Sequence, residues 1–352
     1  MIQILTSGVA LGVHVPGLLL ADRLREQGAE VGVSVVERLL PEHKLRTTAE
    51  MKVAFHRDFR LARAGQQVRS DPVSVASEEA VSAELAHWRN LRVRQFVVFS
   101  GFWLPVLERY LSTCDSKPLV DVCHVDSVES PSFRGSPDVG ARQRWLMHAD
   151  SRTLPCSIPV TRQPPVSWEA RENRLLVHGG GWGMGTYRDK ALDLRARGFE
   201  LDVVAYELAD VSHDDDGVRH HLMDPSWHPW LDDGYPPFCQ VEPGHPPRYR
   251  RRTGHHGSFD LCRVARAMVS KPGGGTLLDS LWSATPVVLL DPFGDHERRN
   301  ARLWQDLGFG VPFDDWQDSG FSPEMLRRAH EALLVARDDV PDYSHVLMAG
   351  AR

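Results

Sequence analysis

The sequence predicts two α/β domains of the Rossmann type that face each other across a ligand-binding cleft. A chain of 352 residues is too long for one ordinary core and suits two domains. A strand–loop–helix–strand layout occurs at the start and again after a proline-rich stretch. The expected domains therefore span residues 1–155 and 171–337, with a linker over 156–170 and a C-terminal segment over 338–352.

The first layout unit begins with a strand over residues 2–6 and a polar loop that contains Gly8. The helix that follows has Pro16, which suits a first turn, and ends near Gly28. Apolar residues then alternate over 31–35 as a second strand. Strands that alternate with helices in this way build a parallel sheet.

Two further buried strands are expected in the first half. One covers residues 96–99 and ends in Ser100, and the other covers 118–124 and leads from His124 to Asp126. Because a Rossmann-like sheet binds ligands at the carboxyl ends of its strands, we expect these polar residues near the cleft.

The second half repeats the opening layout after the linker. Residues 153–168 hold four prolines, which disfavour both helix and central strand. A strand over 174–177, a glycine-rich loop over 178–183 and a helix over 187–197 then follow in order. Residues 210–256 predict no regular element beyond one short strand.

The most informative loop is Lys-Pro-Gly-Gly-Gly-Thr at residues 271–276, between a strand over 267–270 and an amphipathic helix. Three glycines let a ligand approach the backbone closely. The helix start offers free N–H groups and the positive end of the helix dipole. A pyrophosphate is the natural occupant of such a loop.

The residues after this loop extend the pattern. Asp279 lies three residues beyond Thr276, a buried strand covers 286–290, and residues 297–301 are Glu-Arg-Arg-Asn-Ala. This order resembles the C-terminal half of GT-B glycosyltransferases, in particular the group of the peptidoglycan N-acetylglucosaminyltransferase and the antibiotic glycosyltransferases. The loop over residues 8–17 is similar to the N-terminal counterpart in that group.

The resemblance implies a GT-B fold with an acceptor-binding N-terminal domain, a donor-binding C-terminal domain and a final segment that packs back on the first domain. It implies that the loop at 271–276 holds the diphosphate, that Asp279 binds the ribose hydroxyls, and that His296 and Glu297 bind the donor sugar. Many members have an acidic residue or glutamine where His296 stands, so the sugar stays open. The residues expected at the donor are Gly180, Gly181, Lys271, Gly273, Gly274, Gly275, Thr276, Asp279, His296, Glu297 and Asn300.

Structural roles alone also explain parts of this pattern. The three glycines suit a tight turn before a helix, and Asn300 suits a polar helix face. Thr276 and Asp279 suit a capping box, in which side chains bond the first helical N–H groups. The combination of loop, acid, strand and Asn300 in this order favours donor binding.

The expected catalytic residues are His14, which the resemblance implies, and Asp126, which is chosen by its position near the end of a strand. His14 stands where related enzymes have their base, and an ordinary histidine pKa of about 6.5 keeps it mostly neutral at pH 7. Ser100 stands where many members have the aspartate that orients this base, so Asp126 is one substitute candidate and the adjacent His124 is another. A histidine bonded to the loop and a solvated aspartate explain the same residues. The expected acceptor-side residues are Gly12, Ser100, His124 and His56.

His56 belongs to a basic and aromatic segment over residues 52–60, which includes Lys52 and Phe55. Such a segment suits an anionic or polar acceptor. A basic helix face over a buried phenylalanine stripe explains the same spacing.

Composition excludes several other functions. The net charge of −6 gives no general attraction for nucleic acid or anionic membrane. No stretch approaches the roughly 20 apolar residues that span a bilayer, and residues 1–6 lack the basic start of a secretory signal. Five scattered cysteines without a C-x-x-C pair fit reduced thiols in a cytoplasm. The paired histidines at 220–221 and 255–256 lack metal-ligand spacing, so no metal is expected. The glycine-rich loop over 178–185 lacks a G-x-G-x-x-G followed by an acid about 20 residues on, so no dinucleotide cofactor is expected.

The sequence therefore predicts a cytoplasmic, metal-independent, inverting glycosyltransferase of the hexosyltransferase type. Its expected partners are a nucleotide-diphosphate sugar, UDP- or dTDP-type, and a small-molecule or natural-product acceptor, and a homodimer is compatible with the sequence. His14 would take the acceptor proton in a single displacement. Two alternatives stay open: a nucleotide-sugar 2-epimerase of the same fold, and a catalytically silent relative that activates a partner glycosyltransferase.

Overall fold

The N-terminal half contains one parallel sheet. The computed structural model describes residues 1–65, 72–212 and 216–350. The strand order of this sheet is β2-β1-β3-β4-β5. The strands are β1 Ile2–Thr6, β2 Val31–Val35, β3 Gln95–Val98, β4 Leu119–His124 and β5 Arg142–Trp145.

The helices of this half are α1 Leu11–Glu26, α2 Glu42–Arg57, α3 Phe59–Gly65, α4 Glu78–Asn90 and α5 Leu104–Leu111. Ser77 caps α4 by accepting a hydrogen bond from the Ala80 N–H, and two glutamates in the first turn complement the helix dipole. One face of the sheet packs on α4 and α5 through a cluster that includes Trp88, Phe96 and Trp103.

The C-terminal half contains a seven-stranded sheet in the order β12-β11-β10-β6-β7-β8-β9, in which only β8 and β9 are antiparallel. Its strands are β6 Arg174–His178, β7 Glu200–Ala205, β8 Val218–Met223, β9 Phe238–Gln240, β10 Ala267–Ser270, β11 Val287–Leu289 and β12 Gly310–Pro312. Its helices are α6 Tyr187–Ala196, α7 Ser258–Val264, α8 Gly274–Ser283, α9 Asp295–Asp306, α10 Phe313–Asp318 and α11 Pro323–Asp339. The predicted pair of Rossmann-like α/β sheets is confirmed.

One apolar core runs beneath the cleft and joins the two halves. Leu19 of α1 and Leu277 of α8 belong to this single buried cluster, together with Tyr343 of the final helix, α12 Tyr343–Ala349. The Gln27 side chain at the end of α1 donates a 2.6 Å hydrogen bond to Ser344 Oγ. Helix α12 therefore lies against the N-terminal half.

Residues 146–173, which surround the expected linker, contain no α-helix and no β-strand. The Ser157 N–H donates to the Pro341 carbonyl, and the Tyr343 N–H donates to the Ser157 carbonyl, both at 2.8 Å. These bonds tie the connection between the halves to the start of α12. Among the described helices, none is both long and apolar enough to span a bilayer.

Candidate functional site

A cleft of about 1170 Å³ opens between the two halves, at the carboxyl ends of both sheets. The N-terminal wall comes from the loop after β1, the start of α1, α2 and the loops after β3 and β4. The C-terminal wall comes from residues 178–184, residues 271–276 and the segment that enters α7. The topology of two parallel sheets therefore makes one site from segments distant in sequence.

The second glycine loop, residues 271–276, follows β10 and opens α8. Gly273 is the N-cap of α8 and its backbone is extended, and no side chain caps the helix. The capping box formed by Thr276 and Asp279 is therefore absent from this helix start. The first N–H groups of α8 keep no intrahelical acceptor and lie on the cleft wall with Gly274, Gly275 and Thr276.

The first glycine loop, residues 178–185, follows β6 on the neighbouring strand. Gly180, Gly183 and Gly185 have φ angles of +72°, +57° and +112°, which other residues adopt only with strain. A side chain built on Gly181 would lie 2.6 Å from Leu11 of the first half. Glycine is required here both by backbone geometry and by close approach.

Lys271 lies between the two glycine loops. A methyl group on Gly180 would lie 3.6 Å from Lys271 Nζ, and one on Gly273 would lie 3.3 Å from it. The ammonium group contacts the Glu297 carboxylate at 2.5 Å. Glu297 is 3% exposed, and its other oxygen accepts a 2.7 Å bond from the Phe293 N–H. Both oxygens of Glu297 are thus engaged by the protein, although Glu297 lines the cleft together with the half-buried His296.

Two histidines flank Asp279 on this wall. The buried His256 contacts Asp279 Oδ1 through Nε2 at 3.0 Å. Burial opposes protonation of His256, but the Asp279 carboxylate outweighs it and raises the pKa of His256. His178, at the end of β6, accepts a 3.2 Å bond from the Gly180 N–H at Nδ1, so the neutral ring carries its proton on Nε2. Burial lowers the pKa of His178 to about 4, which keeps the ring neutral at pH 7.

Asn300 joins the two halves rather than lining the cleft. Its side chain is fully buried and lies in α9. Its Oδ1 accepts a 2.8 Å bond from the Ser127 N–H, and its Nδ2 donates to Asp126 Oδ1 at 2.7 Å and to the Pro272 carbonyl at 3.0 Å. The amide therefore holds the loop after β4 against the second glycine loop.

Asp126 is the carboxylate at the junction of the two walls. It lines the cleft, and a methyl group on Gly274 would lie 3.0 Å from its Oδ1. Oδ1 is held by Asn300, and no described residue bonds Oδ2. Asp126 thus presents one oxygen beside the start of α8.

His14 lies inside helix α1, whereas the sequence predicts it at the end of the first loop, near the helix start. It is the fourth residue of α1, its side chain is 1% exposed, and Leu11, Gly12 and Val13 form the cleft wall on this turn. His14 itself is not among the residues that line the cleft, and its ring tilts against Trp227 with the ring centroids 6.2 Å apart. The structure does not bring His14 and Asp126 together.

A defined tautomer follows from the contacts of His14. Thr6 Oγ1 donates to the Ser34 carbonyl at 3.3 Å, so it accepts from His14 Nδ1 at 3.0 Å. Nε2 is then unprotonated, and it is buried with no hydrogen-bond partner among the described residues. Burial, helped by the positive charge of Arg38, lowers the pKa of His14 to about 3.

The expected acceptor-side residues fall into two groups. Gly12 and Ser100 line the cleft, and a methyl group on Gly275 would lie 3.3 Å from the Gly12 Cα. His124 instead stacks on Trp145 with ring centroids 3.9 Å apart and bonds Gln143 at 2.7 Å, away from the cleft wall.

His56 bridges the halves. Its Nδ1 donates to the Gly183 carbonyl at 2.7 Å, its ring stacks on Tyr206, and its Nε2 lies 2.9 Å from Asp210. His56, Glu207 and Asp210 also form a group of potential metal ligands within 4.8 Å of one another in the described chain. Because Arg57 already pairs with Glu207 and Arg188 with Asp210, both carboxylates are neutralised without an ion.

His178 and His256 line the cleft, although the sequence does not single them out as site residues. In the sequence, His256 belongs to a histidine pair without metal-ligand spacing, and His178 stands at the start of a glycine run. The position of His178 at the carboxyl end of a strand was the available signal. No sequence signal brings His256 to Asp279, since α7, β10 and the start of α8 lie between them.

No protein-family profile matches the chain. A 59-residue segment is 34% identical to a processive diacylglycerol beta-glucosyltransferase of Bacillus pumilus, over 17% of this chain and 15% of the relative. A match of 35% identity over 101 residues to ribosomal RNA large subunit methyltransferase H of Anaeromyxobacter dehalogenans covers 25% of this chain and 66% of the relative. Each match spans less than two thirds of the relative's length.

Similarity to solved structures extends over the whole chain. The glycosyltransferase SsfS6 of Streptomyces sp. SF2575 superposes with a TM-score of 0.56 and 15% identity, covering 100% of both chains. Spinosyn rhamnosyltransferase SpnG complexed with thymidine diphosphate gives 0.56 and 12%, again covering 100% of both. MurG of Acinetobacter baumannii gives 0.51 and 12%, covering 99% of this chain and 98% of MurG. These neighbours are GT-B glycosyltransferases, so the expected GT-B fold is confirmed.

Proposed function

We propose that this chain is an inverting, metal-independent glycosyltransferase that moves a hexosyl group from a UDP- or dTDP-sugar onto a small apolar acceptor. The observation that carries the proposal is the cleft, in which two glycine loops and Asp279 face an apolar wall of the other half. The GT-B fold supports it over the whole chain length, whereas the likeness to a methyltransferase covers only 25% of the chain. Two neighbours complexed with thymidine diphosphate support a dTDP-type donor.

The donor diphosphate would bind at the second glycine loop. The N–H groups at the start of α8 and the helix dipole favour a dianionic group, and Lys271 adds a positive charge between the loops. Asp279 would accept a ribose hydroxyl, and neutral His178 offers an N–H donor on the same wall. His296 would contact the donor sugar.

The acceptor would be held by shape and apolar contact. The N-terminal wall of the cleft carries mainly apolar side chains: Val9, Leu11, Val13, Leu40, Met51, Phe55, Phe102 and Pro105. A flat or ring-containing apolar molecule with a free hydroxyl fits such a wall better than a strongly charged acceptor.

Asp126 is the base that we assign. Its free Oδ2 lies where the acceptor wall meets the start of α8, and Asn300 fixes its other oxygen. In a single displacement the acceptor oxygen bonds to the anomeric carbon, its proton passes to Asp126, and the bond from that carbon to the diphosphate oxygen breaks. The helix N–H groups and Lys271 stabilise the leaving diphosphate, and attack opposite to it inverts the anomeric centre.

His14 is the alternative base that the sequence suggests. Its Nε2 has the correct protonation, since Nδ1 donates to Thr6. However, the ring is 1% exposed and tilts against Trp227, so it reaches an acceptor only if this segment moves. Asp126 needs no such movement.

The test is incubation of the chain with UDP- and dTDP-glucose, with and without a panel of phenolic and macrocyclic acceptors. We expect a product whose mass is increased by one hexosyl group, released nucleoside diphosphate, an inverted anomeric centre by NMR, and unchanged rates in EDTA. Donor turnover without acceptor would identify a 2-epimerase instead. Nucleotide binding with no turnover over the whole panel would identify a catalytically silent relative.

A further inference from the structure

Two consecutive histidines, His255 and His256, each pair with an aspartate. His255 Nε2 lies 3.0 Å from Asp260 Oδ1, and His256 Nε2 lies 3.0 Å from Asp279 Oδ1. Only the second pair lines the cleft. The molecule therefore contains two versions of one contact, one inside the site and one outside it.

The ring of His256 is held at both nitrogens. Nδ1 lies 2.9 Å from Ser258 Oγ, and the ring edge packs on Phe259, which is fully buried. His256 itself is 7% exposed. A ring fixed in this way gives Asp279 Oδ1 a partner that does not move when the cleft fills.

The carboxylate of Asp279 is held from one side only. It lies in the second turn of α8, and its side chain is 14% exposed, toward the cleft. Oδ1 is bonded by His256, whereas no described residue bonds Oδ2. One oxygen is therefore fixed and the other is available to a ligand hydroxyl.

We propose that His256 is a positioning residue that orients Asp279, so that Oδ2 accepts a ribose hydroxyl of the bound nucleotide. This inference rests on the proposed function, because it concerns the same donor site. His256 does not touch the nucleotide in this role and acts through the carboxylate.

Charge gives a second reason for the pair. A bare carboxylate next to an anionic diphosphate would weaken nucleotide binding by repulsion. Because the Asp279 carboxylate raises the pKa of His256 against the effect of burial, protonation of the ring is favoured over that of a free histidine, and a protonated ring offsets the charge of the carboxylate. His256 thus lets the site use a carboxylate as an acceptor beside an anion.

The test measures UDP and dTDP affinity by calorimetry for the wild type, His256→Ala, His256→Gln, Asp279→Ala and the His256→Ala/Asp279→Ala double variant. We expect His256→Ala to weaken binding about 10-fold, and His256→Gln, which keeps an N–H donor, to recover most of that loss. The double variant should bind no more weakly than Asp279→Ala, because residues that act as a unit are not additive. His255→Ala is the matched control and should stay within about 2-fold of the wild type.

The outcomes separate the two claims. If His256→Ala and Asp279→Ala weaken binding by independent, multiplying factors, the positioning role is overturned and the donor site stands. If His256→Gln binds no better than His256→Ala while both fold, the role is also overturned. If the wild type binds neither nucleotide, the proposed donor site fails and this role fails with it.

Discussion

The two walls of the cleft use their polar groups differently. On the C-terminal wall, the start of α8, Lys271 and Asp279 present donors and an acceptor to the cleft. On the N-terminal wall, the polar groups after β1 are occupied within the protein. Ser7 Oγ and the N–H groups of Gly8 and Val9 all donate to the buried carboxylate of Glu37, at 2.6, 2.7 and 2.9 Å.

The free or occupied state of these polar groups determines which ligands each wall can recognise. A wall with open hydrogen-bonding groups suits a polar, anionic ligand of fixed geometry, such as a nucleoside diphosphate. The loop after β1, whose polar groups are already satisfied, and the apolar side chains beside it select by shape and apolar area, which suits a variable acceptor. Asp126 stands where the two walls meet, and it is the place where chemistry is expected.

The largest expected effect concerns this junction. Asp126→Asn keeps an oxygen for the Asn300 amide but removes the base, so we expect kcat for glycosyl transfer to fall about 10²- to 10⁴-fold. The affinity for UDP or dTDP should change less than about 3-fold. Steady-state kinetics and calorimetry give both quantities.

Glu129→Gln is the control for this change, because Glu129 is exposed on the same loop and lies outside the cleft. It should leave kcat unchanged. If instead Asp126→Asn retains kcat and His14→Gln loses it, His14 is the base and the wall segment around Trp227 must move during the reaction.

A smaller effect is expected where the two walls are joined. His56→Leu removes the bond to the Gly183 carbonyl and leaves that buried acceptor unpaired, which costs about 1–3 kcal/mol of unfolding free energy. Urea denaturation measures this loss. His43→Leu on the same helix is exposed and should cost under about 0.5 kcal/mol, so equal losses in both variants would contradict the bridging role of His56.

The smallest effect concerns the pH dependence of stability. The folded pKa of His14 is about 3, below its unfolded value of about 6.5, so the unfolded state binds the proton first. The contribution of neutral, buried His14 to the free energy of unfolding is complete above about pH 6.5, and it is lost as the pH falls toward 3. Between pH 7 and 5.5, the wild type should lose about 1 kcal/mol more than His14→Gln.

Denaturation midpoints at several pH values measure this difference. His43→Gln, which removes an exposed histidine, should follow the wild type. Parallel curves for the wild type and His14→Gln would mean that His14 is not buried in its neutral form.

The sequence predicts the elements whose pattern is local. β10, the glycine turn and α8 follow from a short apolar run, three glycines and an amphipathic helix, and the structure has β10 at Ala267–Ser270 as expected. β8 was missed because its polar residues read as a loop. Arg219 and His221 on this strand bond the buried Asp202 at 2.7 and 2.8 Å, a pairing that only the sheet creates.

The candidate site shows the same limit. The loop glycines follow from the sequence because backbone geometry is local, whereas the direction of His14 depends on where α1 begins. Neighbouring side chains on a helix point about 100° apart. An error of one residue in where α1 begins after β1 therefore predicts the wrong direction for His14, and helix boundaries vary by one or two residues. The contacts of Asn300 and His256 join segments that only the fold brings together.

The central claim is that the C-terminal wall binds a nucleoside diphosphate through Asp279 and the second glycine loop. The most direct test is thermal unfolding of the wild type and Asp279→Ala with UDP, dTDP, GDP, CDP, ADP, NAD(H) and S-adenosylmethionine. A ligand at 100 times its Kd stabilises the fold by about 2.7 kcal/mol, a readable shift in Tm. We expect UDP or dTDP to raise the Tm of the wild type and Asp279→Ala to abolish the shift. No shift with any nucleoside diphosphate, or a shift only with NAD(H) or S-adenosylmethionine, would contradict it.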